Sequence, residues 1–345
     1  MRLVRVPNRA AVEFAIKAGL ATIISVGLSR WFGLNSPYWA GISAVVATAG
    51  SLGASISASI TRIVATIIAL AIAVLVVLLP IDGLLVAGIT VTITLLLMAA
   101  LRLDAGARLA GASTLLLTAV PQGDPLSVAI GRGLNVPLGC LVAVAVGLVV
   151  FPRRAVTRLR AGMTEDLIAT FRISADALDH WLDPSTPADL EPRLDALLAD
   201  VATRDAIYTE ASFEPGGTGR RAENLAGALA LTTRLSRICR SIVIVVTQSE
   251  GDAIQRLLEP QIRGVIESLH SIVAAVDDSL WLDTPAFAAR VTDLLRSSIE
   301  ELDDGFRHLR AERATAPFSD AQVEHLLHTI WCIHRFAEAI EETSG

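Results

Sequence analysis

Charge is nearly missing from the first half of this chain. Residues 1–152 carry 13 charged side chains, whereas residues 153–345 carry 51. That deficit excludes a water-soluble first domain, because such long apolar stretches leave too little polar surface to present to water. Repeated apolar runs of about 16–25 residues are what a hydrocarbon slab ~30 Å thick selects. Lysine is also scarce. Of 29 basic residues only Lys17 is a lysine, which reads as a bias towards arginine codons. Cysteine is limited to Cys140, Cys239 and Cys332, scattered and odd in number. This excludes a disulfide framework and fits a reducing compartment for the second half. There is no Gly-x-x-x-x-Gly-Lys, and no Gly-x-Gly-x-x-Gly opening a helix after a strand. ATP hydrolysis on this chain is excluded on that ground, and no cofactor or enzyme signature takes its place. The second half is acidic, at net −11 against +5 for the first, which argues against nucleic acid as a partner.

What is present is a set of six apolar segments, roughly 12–33, 37–52, 58–80, 83–101, 105–120 and 126–151. The sequence predicts an all-α protein: residues 1–152 form a transmembrane helical bundle and residues 153–345 a cytoplasmic helical domain. The second and fifth segments hold about 16 residues, ~24 Å of helix against a ~30 Å core, and do not span simply. Ser36-Pro37 predicts a helix start for the second, with Ser at the N-cap and Pro at N1. Asp104 predicts another for the fifth. The opening Met-Arg-Leu-Val-Arg-Val-Pro resembles a signal-peptide flank, but no small-x-small cleavage site closes the first run, so it reads as a retained span. Arg2, Arg5, Arg9, Arg62, Arg102, Arg108, Arg153, Arg154, Arg158 and Arg160 fall on one side of a six-span bundle. Arg30, Asp82 and Asp124 fall on the other. Both termini are therefore expected in the cytoplasm of a bacterial inner-membrane protein.

An internal repeat underlies this pattern. A shift of 70 residues sets Ser57, Ile60, Arg62, Ala73, Val74, Val76 and Leu78 on Ser127, Ile130, Arg132, Ala143, Val144, Val146 and Leu148. It also sets Tyr38 against Arg108, at the starts of the two short helices. Three spans per copy give a 3+3 inverted repeat, the arrangement of many transporters, whose sites lie near the midplane beside interrupted helices. Arg62 is expected to open the third span and Arg132 to lie within the sixth. Thr66 shares a face with Arg62, and Asn135 with Arg132. Pro137, with Gly131, Gly133 and Gly139 around it, interrupts the sixth. Arginine at membrane depth is costly unless it lines a polar cavity. The two arginines either line an anion path or snorkel to the interfaces. Lys17 faces that path, pairs with Glu13 or reaches headgroups. Tyr38 and Trp39 form an aromatic belt or stack on an aromatic substrate. Acids are few in this half, and Glu13, Asp82, Asp104 and Asp124 all lie near segment ends. That scarcity weakens proton antiport and favours a passive path.

The second half reads as helices over roughly 153–183, 188–212, 220–249, 252–282, 286–313 and 319–342, broken at prolines and glycines. Leu225, Leu229, Leu235, Ile238 and Ile242 recur at helical spacing, and an antiparallel bundle fits. His325, His328 and Cys332 occupy i, i+3 and i+7. Imidazole and thiolate suit a transition metal, but no fourth ligand or recognised spacing accompanies them, and a partly buried polar seam is the better account of the pattern.

The stretch Gly33-Leu-Asn-Ser-Pro-Tyr-Trp-Ala, the Gly53-Ala-Ser turn leading to Arg62-x-x-x-Thr66, and the Arg132 helix ending Val-Val-Phe-Pro-Arg-Arg154 resemble the fusaric acid resistance and aromatic acid exporter superfamily over roughly residues 10–155. Plant aluminium-activated malate channels are more distantly similar. The resemblance implies a six-helix unit with a cytoplasmic helical domain, exporting aromatic or other organic acids, and places a basic residue of the path on Lys17 and another on Arg62. Ala65 stands where the family often has Gly. Many such exporters carry two membrane units on one chain; this chain has one, which implies a homodimer. A periplasmic efflux partner would accompany an exporter of this kind. The function expected is transport of organic carboxylate anions. The alternatives are a passive anion channel and a non-transporting membrane-anchored interaction protein.

Overall fold

The computed structural model describes residues 9–77, 83–101, 104–119, 125–185, 189–214, 219–248, 253–276, 280 and 283–344. Among these the chain is helical throughout and divides into two compact units, Met1–Ala155 and Val156–Gly345. The first unit contains α1 (Arg9–Trp31), α2 (Tyr38–Ala47), α3 (Leu52–Val77), α4 (Gly83–Ala100), α5 (Asp104–Ala119) and α6 (Pro125–Val149). Arg9–Trp31, Leu52–Leu75 and Ser127–Val149 are long and apolar enough to cross a membrane, while Tyr38–Ala47 and Leu85–Ala100 are shorter apolar helices.

The first unit is inverted relative to a protein folded in water. On α1, Glu13, Lys17, Ser25 and Ser29 are buried, while Phe14, Ile16, Leu20 and Ile23 face outward. Ile67 and Leu75 of α3, Leu96 of α4, and Leu134 and Leu141 of α6 are exposed as well. A helix that hides its polar stripe and shows its apolar one is stable only where the surroundings are themselves apolar.

Packing within this unit follows one rule. The short α2 lies against α6, and the short α5 lies against α3. Likewise α1 meets α2 and α6, just as α4 meets α5 and α3, and α3 and α6 pack on each other. Exchanging α1–α3 with α4–α6 reproduces the whole set of neighbours.

Two local starts differ from expectation. Ser36 does not cap α2: its φ is 59°, in the left-handed region, and Pro37 takes the cap position without a side-chain bond. The expected 37–52 segment is also divided. Thr48 is extended, and Ser51 accepts from the Ala54 amide at 3.2 Å, which is N-cap geometry. α3 therefore begins at Leu52, and Gly53 is helical rather than part of a turn. Arg62 thus sits ten residues inside α3 instead of at its start, and it leaves the set of junction arginines. Arg108 lies one turn inside α5, not at its beginning. Arg2, Arg5, Arg102, Asp82 and Asp124 lie outside the described residues.

The second unit contains α7 (Ala155–Leu182), α8 (Leu190–Ala211), α9 (Arg220–Thr247), a 3-10 turn (Ala253–Leu258), α10 (Glu259–Ala275), α11 (Thr284–Glu312) and α12 (Asp320–Ser344). Its burial is of the ordinary kind. Leu159, Met163, Leu167, Phe171 and Leu178 of α7 are fully enclosed, and Phe171 meets Phe336 of α12 edge-on at 5.6 Å. The expected helix 252–282 is split because Pro260, in the first turn of α10, has no N–H to continue the ladder from the 3-10 turn. α7 and α8 are joined by a buried fork: Arg204 donates from Nε and Nη2 to the two carboxylate oxygens of Asp166 at 2.7 and 2.9 Å. Gly162 makes room for it, since a Cβ there would lie 2.4 Å from the Arg204 guanidinium carbon. Asp166 holds the Arg204 proton more firmly than usual, chiefly through that hydrogen bond.

Candidate functional site

The polar interior of the first unit converges on Arg132. This residue lies two turns into α6 and is 2% exposed. Its guanidinium carbon stands 3.5 Å from the centroid of the Trp39 ring, a desolvated cation–π contact. Nη1 donates to the Ser113 carbonyl of α5 at 3.2 Å. Nε and Nη2, which form the other edge of the same planar group, have no hydrogen-bond partner among the described residues. The positive field of Arg62 reaches Arg132. Arg62 is itself 3% exposed, and its Nε also lacks a partner among the described residues. No ion pair to either arginine is found among the described residues.

The other expected residues take distinct roles. Asn135 is a strut, not an open donor. Its amide donates to the carbonyls of Asn35 and Gly131 at 2.8 and 2.7 Å, and its oxygen accepts from Ser29 at 2.5 Å. It thereby ties α6 to the end of α1 and to the loop before α2. The Thr66 hydroxyl is spent on the Arg62 carbonyl at 2.8 Å within its own helix. Tyr38 and Trp39 part company. Tyr38 is 49% exposed, whereas Trp39 turns inward with its indole N–H unpartnered. Lys17 is buried one turn deeper than Glu13. Glu13 pairs with Arg9 at 2.8 Å and with Arg153 at 2.7 Å, not with Lys17.

α2 is brought close enough for this contact by glycine. A Cβ on Gly139 would lie 2.2 Å from the Ala40 carbonyl oxygen, so α2 and α6 touch backbone to backbone there. Gly139 follows Pro137, which α6 accommodates without ending.

Three participants were not singled out from sequence: Ser29, Ser43 and Ser113. Ser43 lies one turn beyond Trp39 on α2, buried, with its hydroxyl unpartnered. A signal for Ser29 exists. Glu13, Lys17, Ala21, Ser25 and Ser29 recur every fourth residue, and all five are buried, a polar and small stripe on an otherwise apolar helix. Ser113 acts through its carbonyl, which sequence does not mark.

In the second unit, Cys332 is buried, His325 half-buried and His328 exposed against Trp331. His334 reaches Asp303 on α11 at 3.0 Å. Among the described residues no group of three His, Cys, Asp or Glu side chains is placed to hold a metal ion.

No curated protein matches the chain. A family model does, over residues 11–342, and so reaches through the second unit and not only the first 155 residues. A bundle with its apolar side outward, the buried arginines inside it and this match agree, and the chain belongs to the fusaric acid resistance protein family, a family of membrane transporters.

Proposed function

We propose that this protein carries organic carboxylate anions across the bacterial inner membrane, as a homodimer, with Arg132 as the residue that takes the carboxylate. One observation carries the reading: the unpartnered Nε/Nη2 edge of Arg132, enclosed at 2% exposure. The same chain displays what fits such an edge, since Arg204 offers the same two nitrogens to Asp166 in a two-bond fork. Trp39, stacked on the guanidinium, supplies a flat apolar wall beside the carboxylate and so favours an aromatic acid. Arg62 adds positive potential where the anion sheds its water.

The exchange symmetry of helix neighbours supports a 3+3 repeat, with the site where α2, α3, α5 and α6 meet. Six spans would put both termini on one side, and the arginine bias favours the cytoplasm, with the second unit a cytoplasmic bundle. The resemblance to exporters with two membrane units supports the dimer and a periplasmic partner. A passive channel is the second reading. It is favoured by Glu13, the sole acid among the described side chains of the first unit, being held by Arg9 and Arg153 and so unavailable to relay protons.

The test is flux of a panel of aromatic and aliphatic carboxylates in proteoliposomes, with and without a pH gradient. Each charge-assisted bond contributes roughly 1.5–3 kcal/mol, so Arg132→Gln loses about ten-fold or more in affinity. Arg132→Lys keeps the charge without the fork and retains part of the activity. Wild-type flux in Arg132→Gln with unchanged substrate preference overturns the assignment.

A further inference from the structure

The first unit buries more positive charge than it neutralises. Arg132 and Arg62 are enclosed, Arg132 feels the charge of Arg62, and neither has a carboxylate partner among the described residues. Two guanidinium groups in a low-dielectric interior are strongly unfavourable unless an anion accompanies them. Further hydrogen-bond donors without partners among the described residues lie on the packed helices α2, α3 and α6. They are Nε and Nη2 of Arg132, Nε of Arg62, the indole N–H of Trp39, and the Ser43 hydroxyl one turn along α2. The indole and guanidinium nitrogens can only donate. A set of mostly obligate donors, in which only the Ser43 hydroxyl can also accept, matches a small anion that accepts from every direction.

We infer that this cluster binds a small inorganic monoanion of the chloride type, at the same nitrogens that take the carboxylate and in competition with it. The inference rests on the proposed carboxylate site and adds a second ligand to it. A spherical anion needs no fork geometry, so it satisfies Nε and Nη2 of Arg132 together, and the positive charge of Arg62 favours it there. The carboxylate meets the Arg132 edge through two oxygens, as Asp166 meets Arg204. The two anions therefore use one set of donors and exclude each other. Bound chloride offsets one of the two guanidinium charges between transport events, and an arriving carboxylate must displace it.

The experiment is thermal unfolding of the purified full-length protein in detergent, titrated with chloride. A bulky sulfonate holds the ionic strength constant, so that screening does not change. The wild type should show a saturable rise in midpoint with chloride, as binding to the folded state alone requires. Benzoate should shift the chloride concentration needed for half the rise upward by ten-fold or more. Trp39→Phe retains the ring over Arg132 but loses the indole N–H, and should weaken chloride several-fold. Arg132→Gln should start from a midpoint at least as high as wild type without chloride, since a buried charge is removed, and should gain nothing from adding it. A non-saturating rise, or an equal one in Arg132→Gln, overturns the inference. The two proposals fail separately. Loss of carboxylate flux in Arg132→Gln without chloride binding in the wild type leaves the carboxylate site standing and removes the chloride. Saturable, Arg132-dependent chloride binding with wild-type carboxylate flux in Arg132→Gln removes competition, and the inference with it.

Discussion

Replacing Gly139 by alanine should damage the site from a position that touches no ligand. The added Cβ would stand 2.2 Å from the Ala40 carbonyl oxygen and 3.0 Å from the Ala44 nitrogen, where ordinary contact begins near 3.4 Å. Both obstacles are backbone, so no rotamer change relieves them. α2 must withdraw from α6 by about 1 Å, and overpacking of this sort costs about 1–3 kcal/mol. The gain in helix propensity from Gly to Ala, about 0.5–1 kcal/mol, offsets part of it. Trp39 precedes Ala40 and must move with it, weakening a desolvated cation–π contact of about 2 kcal/mol. Since about 1.4 kcal/mol is ten-fold in affinity, carboxylate flux at subsaturating substrate should fall by about ten-fold, with a lowered unfolding midpoint in detergent. Gly147→Ala is the control on the same helix, because nothing lies within 4 Å of its added Cβ. It should match the wild type in flux and equal or exceed it in midpoint. A Gly139→Ala protein with wild-type midpoint and flux would refute the close approach of α2 and α6, and with it the placement of Trp39 over Arg132.

Three further outcomes follow from the structure. In the second unit, Asp166→Asn leaves Arg204 buried without its counter-charge, and should cost about 3 kcal/mol, the lower end for a broken buried pair because Arg204 keeps some solvent contact; Gly162→Ala should cost less, since the Arg204 side chain can swing clear of the new Cβ, and denaturant melts of the two variants check both. Burial pushes the Cys239 and Cys332 thiols up from 9.0 to about 11, so folding favours the protonated form: that stability is complete below pH 9 and is lost as pH rises from 9 to 11. Melts of the full chain across this window should flatten in a Cys239→Ala, Cys332→Ala double variant, and an unchanged slope would contradict the linkage. Reporter fusions at Gly345 and within Ile81-Asp82-Gly83 should lie on opposite sides of the membrane, and an exported signal at Gly345 would sink both the proposed orientation and the inverted repeat.

The long helices were legible in the chain because their signal is additive: α1, α3 and α6 each sum hydropathy over more than twenty residues, and local details barely alter the total. Their starts were not legible, because a cap is a single hydrogen bond. Ser36 and Ser51 are both serines before a helix, yet only Ser51 meets the amide three residues on, while Ser36 is turned into the left-handed region. That one difference moves the start of α3 from the expected 58 to Leu52 and carries Arg62 from a junction into the interior. The family resemblance was legible for a different reason, since it rests on several motifs in order over the first unit.

The site was half legible, and the missing half explains the rest. Arginine and asparagine inside an apolar run are anomalies that sequence exposes, so Arg132, Arg62 and Asn135 stood out. What each does depends on partners far along the chain. Asn135 looks like a ligand until Ser29 and Asn35 are found to occupy it. Trp39 looks like a membrane-belt residue until α2 is drawn against α6 at Gly139. Tyr38 beside Trp39 stays 49% exposed, and Trp31 and Phe32, at the end of α1 and just beyond it, are 77% and 58% exposed. Asn135, Gly139 and Trp39 together account for the open edge of Arg132. The strut fixes α6 against α1, the glycine admits α2, the indole covers one face of the guanidinium, and Ser113 takes one nitrogen. Every neighbour therefore positions Arg132 without neutralising it, an arrangement that costs stability unless a mobile anion completes it.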